Sequence, residues 1–160
     1  MVREPALPRE VAEGLEPGAI LLALGAGAAL LGALRPGPAG GAVLSLGDHE
    51  TVVRLTRQSL IDAVKGYAEE DCLLTRPDMR AILRDRALSR GIFIVRGDGV
   101  LASTGREAHP IAGLVPEFDA SDPESLAAAL SRATRAAFVT ASRARDRVAL
   151  FARGQEIPLS

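Results

Sequence analysis

The side chains that could do chemistry in this chain are few and scattered. His49 and His109 each have an acidic neighbour, so together they could offer imidazole and carboxylate ligands to a metal. Nothing in the sequence brings their two predicted loops together, and we therefore assign no metal site. Cys72 is the only cysteine and follows three acidic residues, whose negative charge raises a thiol pKa. We expect this thiol to be a poor nucleophile.

The densest basic segment carries Arg143, Arg145 and Arg147, with Asp146 among them. Arg90 and Arg96 could approach this segment across a sheet. Two interpretations are open. The segment is either a solvated hairpin turn or an anion site whose guanidinium groups bind phosphate.

The strands that must position these groups are marked by apolar runs and turn residues. Gly91–Val95 and Val100–Ser103 flank a Gly-Asp-Gly turn, a pattern that predicts a β-hairpin. Gly91–Val95 has no polar alternation, so we predict a central strand that is covered on both faces. A second hairpin is predicted over residues 137–152, and Ala42–Leu46 predicts a further strand.

Helices are predicted from capping patterns and helical periodicity. Gly18–Leu34 predicts a helix that is buried on most of its circumference, and Thr75 is expected to cap a helix that has Pro77 in its first turn. A second capping pattern begins at Ser121 and predicts a helix through Ala136. We predict a helix over about 57–65, with an edge strand at 51–53 as the alternative.

These elements together predict an α/β (α+β) fold in a single domain. It has a mixed central β-sheet of about five strands flanked by helices. Residues 1–17 are assigned to an N-terminal tail or short first helix, and residues 18–160 to the domain. The Pro- and Gly-rich segment at 35–41 is predicted to be a linker between the first long helix and the first strand.

The composition argues against nucleic acid and membranes as partners. Hydrophobic residues make up 48% of the 160 residues, and the formal net charge is −1, so no overall basic field attracts nucleic acid. Aromatic residues are only 3%, which leaves no stacking platform for single-stranded bases. The uncharged part of Gly18–Leu34 is shorter than the about 20 residues of a membrane-spanning helix. We therefore expect no membrane span, and a single cysteine suits a reducing, cytoplasmic setting.

The order of elements resembles the nucleotide-binding domain of diadenylate cyclases, a family that joins two ATP molecules into cyclic di-AMP across a face-to-face dimer. Gly41–Leu46 looks like the first core strand of that family. The spacing over Ala129–Gly154 is similar to its last helix, strand pair and closing turn. The resemblance covers about Gly18–Leu159 and implies the fold of that family.

At the functional motifs this sequence departs from the family. The family's Asp-Gly-Ala falls on residues 90–92, and its Arg-His-Arg on residues 124–126. Its acidic pair falls near residues 142–143. The resemblance therefore implies ligand-binding candidates at Arg90, Gly91, Ile92, Glu124, Ser125, Ser142 and Arg143. Of the motif residues only Gly91 is retained, and we assign no catalytic residue and no metal ligand.

These substitutions predict a diadenylate-cyclase-like domain that has lost catalysis and acts as a regulatory, nucleotide-sensing or scaffold module. We expect a nucleotide ligand and either a homo-oligomer or a protein partner. One alternative is an active nucleotidyltransferase that makes cyclic di-AMP from ATP with Mg²⁺ or Mn²⁺. Another is a roadblock-type dimerising adaptor, since Gly91–Ser103 also matches the hairpin of that family.

Overall fold

A mixed seven-stranded sheet forms the centre of the molecule in the computed structural model, which describes residues 3–35, 41–87 and 91–159. The helices are α1 (Arg9–Ala12), α2 (Ala19–Ala33), α3 (His49–Leu55), α4 (Pro77–Arg86) and α5 (Pro123–Ala133). The strands are β1 (Gly41–Leu46), β2 (Thr56–Gln58), β3 (Ile92–Val95), β4 (Leu101–Ala108), β5 (Ala137–Ser142), β6 (Arg147–Ala152) and β7 (Gln155–Ile157).

The strand order is β2-β4-β3-β1-β5-β6-β7, in which β1 and β3 are parallel and the other neighbours are antiparallel. The predicted mixed α/β fold is confirmed, but the expected strand number of about five was too low. The two additional strands, β2 and β7, lie at the edges and have three residues each. Segments this short show no apolar alternation that a sequence pattern could reveal.

The central position of β3 is confirmed. It pairs with β1 on one side and with β4 on the other. All four of its side chains are at most 2% exposed, as expected for an apolar strand that is covered on both faces. The two other predicted strand regions also form, as β1 and as the hairpin of β5 and β6.

Helices cover both faces of the sheet. One face packs against α2, α4 and Val11 of α1, and the other against α5 and α3. Helix α2 lies directly on the sheet at Gly27, where a Cβ atom would come within 2.7 Å of the Val139 Cγ1 atom. Within the described parts of the chain, no helix has the length and apolar character needed to cross a membrane.

Three local predictions were wrong. Residues 57–65 are not helical. The helix there is α3, which ends where the Thr56 hydroxyl donates to the Val52 carbonyl at 2.7 Å, and β2 follows. The cap of α4 is Arg76 and not the hydroxyl of Thr75, although Pro77 occupies the first turn as predicted. Helix α5 ends at Ala133, three residues before the predicted end, because residue 134 is extended.

The N-terminal segment contacts the central hairpin. Helix α1 lies within residues 1–17, and its Val11 is fully buried. The Glu16 amide donates to the Gly97 carbonyl at 2.9 Å, which joins this segment to the turn between β3 and β4. Of the predicted linker, residues 36–40 lie outside the described residues.

Candidate functional site

The motif positions meet at one end of the sheet, where β1 and β3 begin and β5 ends. Gly41 pairs with Ser142 across β1 and β5, and Gly91 immediately precedes the parallel partner strand β3. Helix α5 begins at the same end, since a Cβ atom on Gly41 would lie 2.7 Å from the Pro123 Cγ atom. The fold therefore gathers candidates that are far apart in the sequence. Arg90 lies outside the described residues.

Glu124 is the most enclosed charged group at this end. Its side chain is 9% exposed, and the Arg147 guanidinium donates to the Glu124 Oε2 atom at 2.9 Å. Arg147 also donates to the Glu156 Oε1 atom at 3.0 Å. The hydrogen bonds to Glu124 and then to Glu156 raise the pKa of Arg147. A carboxylate and not a cation therefore stands where the family resemblance places phosphate-binding arginines.

The other two arginines of the basic segment are also paired. Arg145 donates to both carboxylate oxygens of Asp122 at 2.6 and 3.0 Å. Arg143 donates to the Asp146 carboxylate at 3.2 Å. Three guanidinium groups thus face four carboxylates, counting Glu124 and Glu156. The geometry favours a charge-compensated turn over an anion site.

The two serine candidates use their hydroxyl groups in local structure. The Asp119 amide donates to the Ser125 Oγ atom at 2.9 Å, at the approach to α5. Ser142 is buried, and its Oγ atom accepts from the Arg145 amide at 3.3 Å. Ile92 is buried in the core beneath α5 and presents no open surface. Of the described candidates, Gly91 lines a cavity of about 160 Å³.

Arg96 does not approach the basic segment. It follows Val95, which pairs with Leu46 at the far end of β1, whereas Arg143 lies beside the start of β1. At that far end Arg96 pairs with Glu69 at 3.0 Å and with Asp98. Burial raises the pKa of the Asp98 carboxyl, but the hydrogen bonds from Arg96 and the Val100 amide outweigh it and the net pKa is lowered.

The two histidines also lie at opposite ends of the sheet. His49 begins α3, beyond the end of β1, whereas His109 follows β4, whose end lies beside the start of β3. His109 contacts Arg57 at 3.1 Å. Across residues 3–35, 41–87 and 91–159, no group of three or more His, Cys, Asp or Glu side chains is arranged to hold a metal ion.

Cys72 is buried and belongs to the hydrophobic core that also contains residues of α2 and α4. Burial is the main cause that raises the pKa of its thiol, followed by Asp71 and Asp62. The predicted direction is confirmed, and the burial adds a cause that the sequence did not show. The thiol group therefore stays protonated at neutral pH.

Sequence reasoning missed two carboxylate partners of the basic segment, Asp122 and Glu156. Asp122 had a local signal, because it lies in the predicted capping pattern, and its Oδ1 atom accepts from the Glu124 amide at 3.0 Å as the N-cap of α5. Glu156 had no local sequence signal, since it reaches Arg147 only through the pairing of β6 with β7.

The pair of Asp122 and Arg145 predicts a pH-dependent contribution to stability. Hydrogen bonds from Arg145 hold the pKa of Asp122 below its ordinary value of 3.8. A lowered folded-state pKa means that the ionised carboxylate stabilises the fold above pH 3.8, and that this stabilisation is lost as the pH falls through the folded-state pKa. Arg145→Gln should therefore lower the urea midpoint more at pH 7 than at about pH 2.

Arg84→Gln is the matched control, since Arg84 is exposed and forms no ion pair with another described residue. It should leave the urea midpoint unchanged at both pH values. An effect of Arg145→Gln that is equal at neutral and acid pH would show that the pair contributes no titratable stability.

Comparison with known proteins identifies structures of similar fold but no family for this chain. No family model matches the chain, and no curated protein matches it. Among solved structures, a hypothetical membrane spanning protein from Bacillus cereus shares 14% identity at a TM-score of 0.59, over 94% of this chain and 67% of that one. A double mutant of DacA from Staphylococcus aureus shares 11% identity at a TM-score of 0.53, over 89% of this chain and 87% of that one. The chain thus has a mixed α/β fold similar to that of DacA.

Proposed function

We propose that this chain is a diadenylate-cyclase-like domain that does not catalyse the cyclase reaction and acts as a regulatory, nucleotide-sensing or scaffold module. The fold likeness to DacA, a diadenylate cyclase, extends over 89% of the chain and supports the diadenylate-cyclase-like fold in this proposal. A scaffold role calls for a homo-oligomer or a protein partner. The roadblock-type adaptor stays a prediction that rests on Gly91–Ser103 alone.

The observation that carries the proposal is the ion pair of the enclosed Glu124 carboxylate with Arg147. Phosphoryl transfer is catalysed chiefly by metal ions and cations placed against developing negative charge. The resemblance places the phosphate-binding cations at residues 124–126, where Glu124 would instead repel a triphosphate. Its partner Arg147 is occupied by two carboxylates, so it is not free to replace the missing cations.

The residue type at position 90 also supports a loss of catalysis, because it disfavours the binding of a metal ion. The family's aspartate falls on Arg90, a cation that repels a divalent metal where a carboxylate would bind it. Phosphoryl transfer from ATP depends on such a metal to neutralise the charge of the phosphates. Both changes of charge oppose the reaction, and charge interactions are several-fold stronger in a partly desolvated cleft than in water.

The proposal is tested by incubating the purified protein with ATP and either Mg²⁺ or Mn²⁺, with an active diadenylate cyclase assayed in parallel. We expect no cyclic di-AMP above a heat-killed control. Cyclic di-AMP that forms with the wild type and is lost in the Gly91→Leu variant would support the active nucleotidyltransferase instead. That variant places a side chain where a Cβ atom would already lie 2.9 Å from the Gly105 Cα atom.

A further inference from the structure

A cavity of about 160 Å³ opens beside Gly91, on the face of the sheet opposite α5. The described residues that line it are Leu60, Ile61, Arg86, Gly91, Phe93, Thr104 and Gly105. Its volume is similar to that of the apolar cavity, about 150 Å³, that holds a benzene ring in an engineered protein. The cavity is therefore large enough for one small ring or a branched aliphatic group.

Two glycines border this space. Gly91 and Gly105 have φ angles of +143° and +69°, which strongly favour glycine. Their backbones touch, because a Cβ atom on Gly91 would lie 2.9 Å from the Gly105 Cα atom. Phe93, which is 2% exposed, is the buried apolar residue of the lining. A larger residue at position 91 would press on the Gly105 backbone, and one at position 105 would press on the backbone of Leu60 and Ile61.

The mouth of the cavity presents two large apolar side chains to solvent. Leu60 is 42% exposed and Ile61 is 77% exposed. Backbone hydrogen bonds hold them there, since the Ser59 and Leu60 amides both donate to the Gly105 carbonyl at 3.1 and 3.0 Å. The chain thus fixes apolar surface at the entrance of a small cavity whose lining is partly apolar.

Neighbouring polar groups rigidify this entrance. The Asp62 carboxylate accepts from the Thr104 amide at 3.1 Å, and the Gln58 side chain donates to the Thr104 carbonyl at 2.6 Å. The Thr104 hydroxyl accepts from the Ala63 amide at 2.8 Å. These bonds anchor the chain on both sides of Ile61 to β4, and they direct the polar groups to each other and not to a ligand.

The only charged side chain among the described lining residues is Arg86, at the exposed end of α4. No carboxylate in the described parts of the chain lies within ion-pairing distance of it, although Arg96 and Arg147 are paired. A guanidinium at the edge of a cavity that is lined by Leu60, Ile61 and Phe93 favours a ligand that combines an apolar body with one negative charge.

We infer that this cavity binds a compact apolar carboxylate, with its ring or branched chain against Phe93 and its carboxylate at Arg86. The inference does not depend on the proposed function, since it requires neither a nucleotide nor the loss of catalysis. Benzoate is the simplest probe, because its ring matches the volume of the cavity and its carboxylate can accept two hydrogen bonds from a guanidinium.

The test is a titration of the full chain followed by amide NMR spectra. Benzoate should shift the Gly91 and Gly105 amide signals saturably, with a dissociation constant on the order of 1 mM for so small a ligand. Benzyl alcohol, which has the ring without the charge, should bind about tenfold more weakly. Absence of shifts with benzoate, or equal affinity for both compounds, would overturn the inference.

Two variants and two matched controls locate the site. Arg86→Gln should remove the preference for benzoate over benzyl alcohol, and Ile61→Glu should weaken benzoate binding at least tenfold by placing a like charge at the mouth. Arg84→Gln on the same helix and Leu114→Glu, at an apolar residue that is 61% exposed, should leave the affinity unchanged. Unchanged urea midpoints for Arg86→Gln and Ile61→Glu would show that the fold is intact.

A further arm separates this inference from nucleotide sensing. AMP carries its charge on a larger body, and we expect it to leave the Gly91 and Gly105 signals unshifted at concentrations where benzoate saturates. Shifts produced by AMP and not by benzoate would overturn the carboxylate assignment, while they would support nucleotide sensing by this domain. Formation of cyclic di-AMP would contradict the proposed function and leave the benzoate result standing.

Discussion

Replacing Phe93 by alanine is expected to reduce the free energy of unfolding by about 3–5 kcal/mol. Phe93 lies at the centre of β3, between β1 and β4, and is 2% exposed. The substitution removes a buried ring from the main hydrophobic core and joins the space that it leaves to the cavity beside Gly91. Urea denaturation monitored by circular dichroism would measure the change.

Leu114→Ala is the control for this experiment, because it removes an apolar side chain that is 61% exposed. It should change the free energy of unfolding by less than about 0.5 kcal/mol. A loss below about 1 kcal/mol in Phe93→Ala would mean that the core on this face of the sheet tolerates a large void, contrary to the burial of the ring.

Gly97→Ala is expected to destabilise the protein by about 3 kcal/mol, at the upper end of what overpacking costs. A Cβ atom on Gly97 would clash with the Gly14 carbonyl oxygen, which is a backbone atom and cannot rotate away. The turn between β3 and β4 must then separate from the N-terminal segment. That separation would also break the hydrogen bond from the Glu16 amide to the Gly97 carbonyl.

Gly25→Ala is a matched control for which the expected change in the free energy of unfolding has the opposite sign. A Cβ atom on Gly25 would meet nothing within 4 Å, and the residue lies within α2. Alanine in a helix interior is favoured over glycine by about 0.5–1 kcal/mol, so this variant should be more stable than the wild type. Equal stability of the Gly97→Ala variant and the wild type would show that the N-terminal segment contributes little to the fold.

The ion-paired end of the sheet has a simple physical interpretation. Glu124 is nearly enclosed, and a charge in such a place is stable only when it is paired and hydrogen-bonded. Arg147 supplies that pairing, and Arg145 does the same for Asp122. The arginines that looked available for phosphate in the sequence are therefore used to neutralise carboxylates at the start of α5.

Local sequence was sufficient for the elements whose information is contained in a few consecutive residues. The Gly-Asp-Gly turn and its apolar flanks determined the hairpin of β3 and β4, and an unbroken apolar run placed β3 inside the sheet. The long apolar segment at Ala19–Ala33 determined α2. In each case apolar spacing and turn chemistry point to the same local structure, so no distant contact is needed to decide it.

Tertiary structure alone decided the edge strands, the segment after α3 and the pairing of charges. Thr56–Gln58 becomes a strand because β4 offers it hydrogen bonds, although the sequence there favoured a helix. Leu60 and Ile61 remain exposed because hydrogen bonds tie the backbone on either side of Ile61, at Leu60 and at Ala63, to β4. Arg147 meets Glu124 only because β6 passes beside α5, and such contacts between distant residues depend on the strand order, which no local pattern encodes.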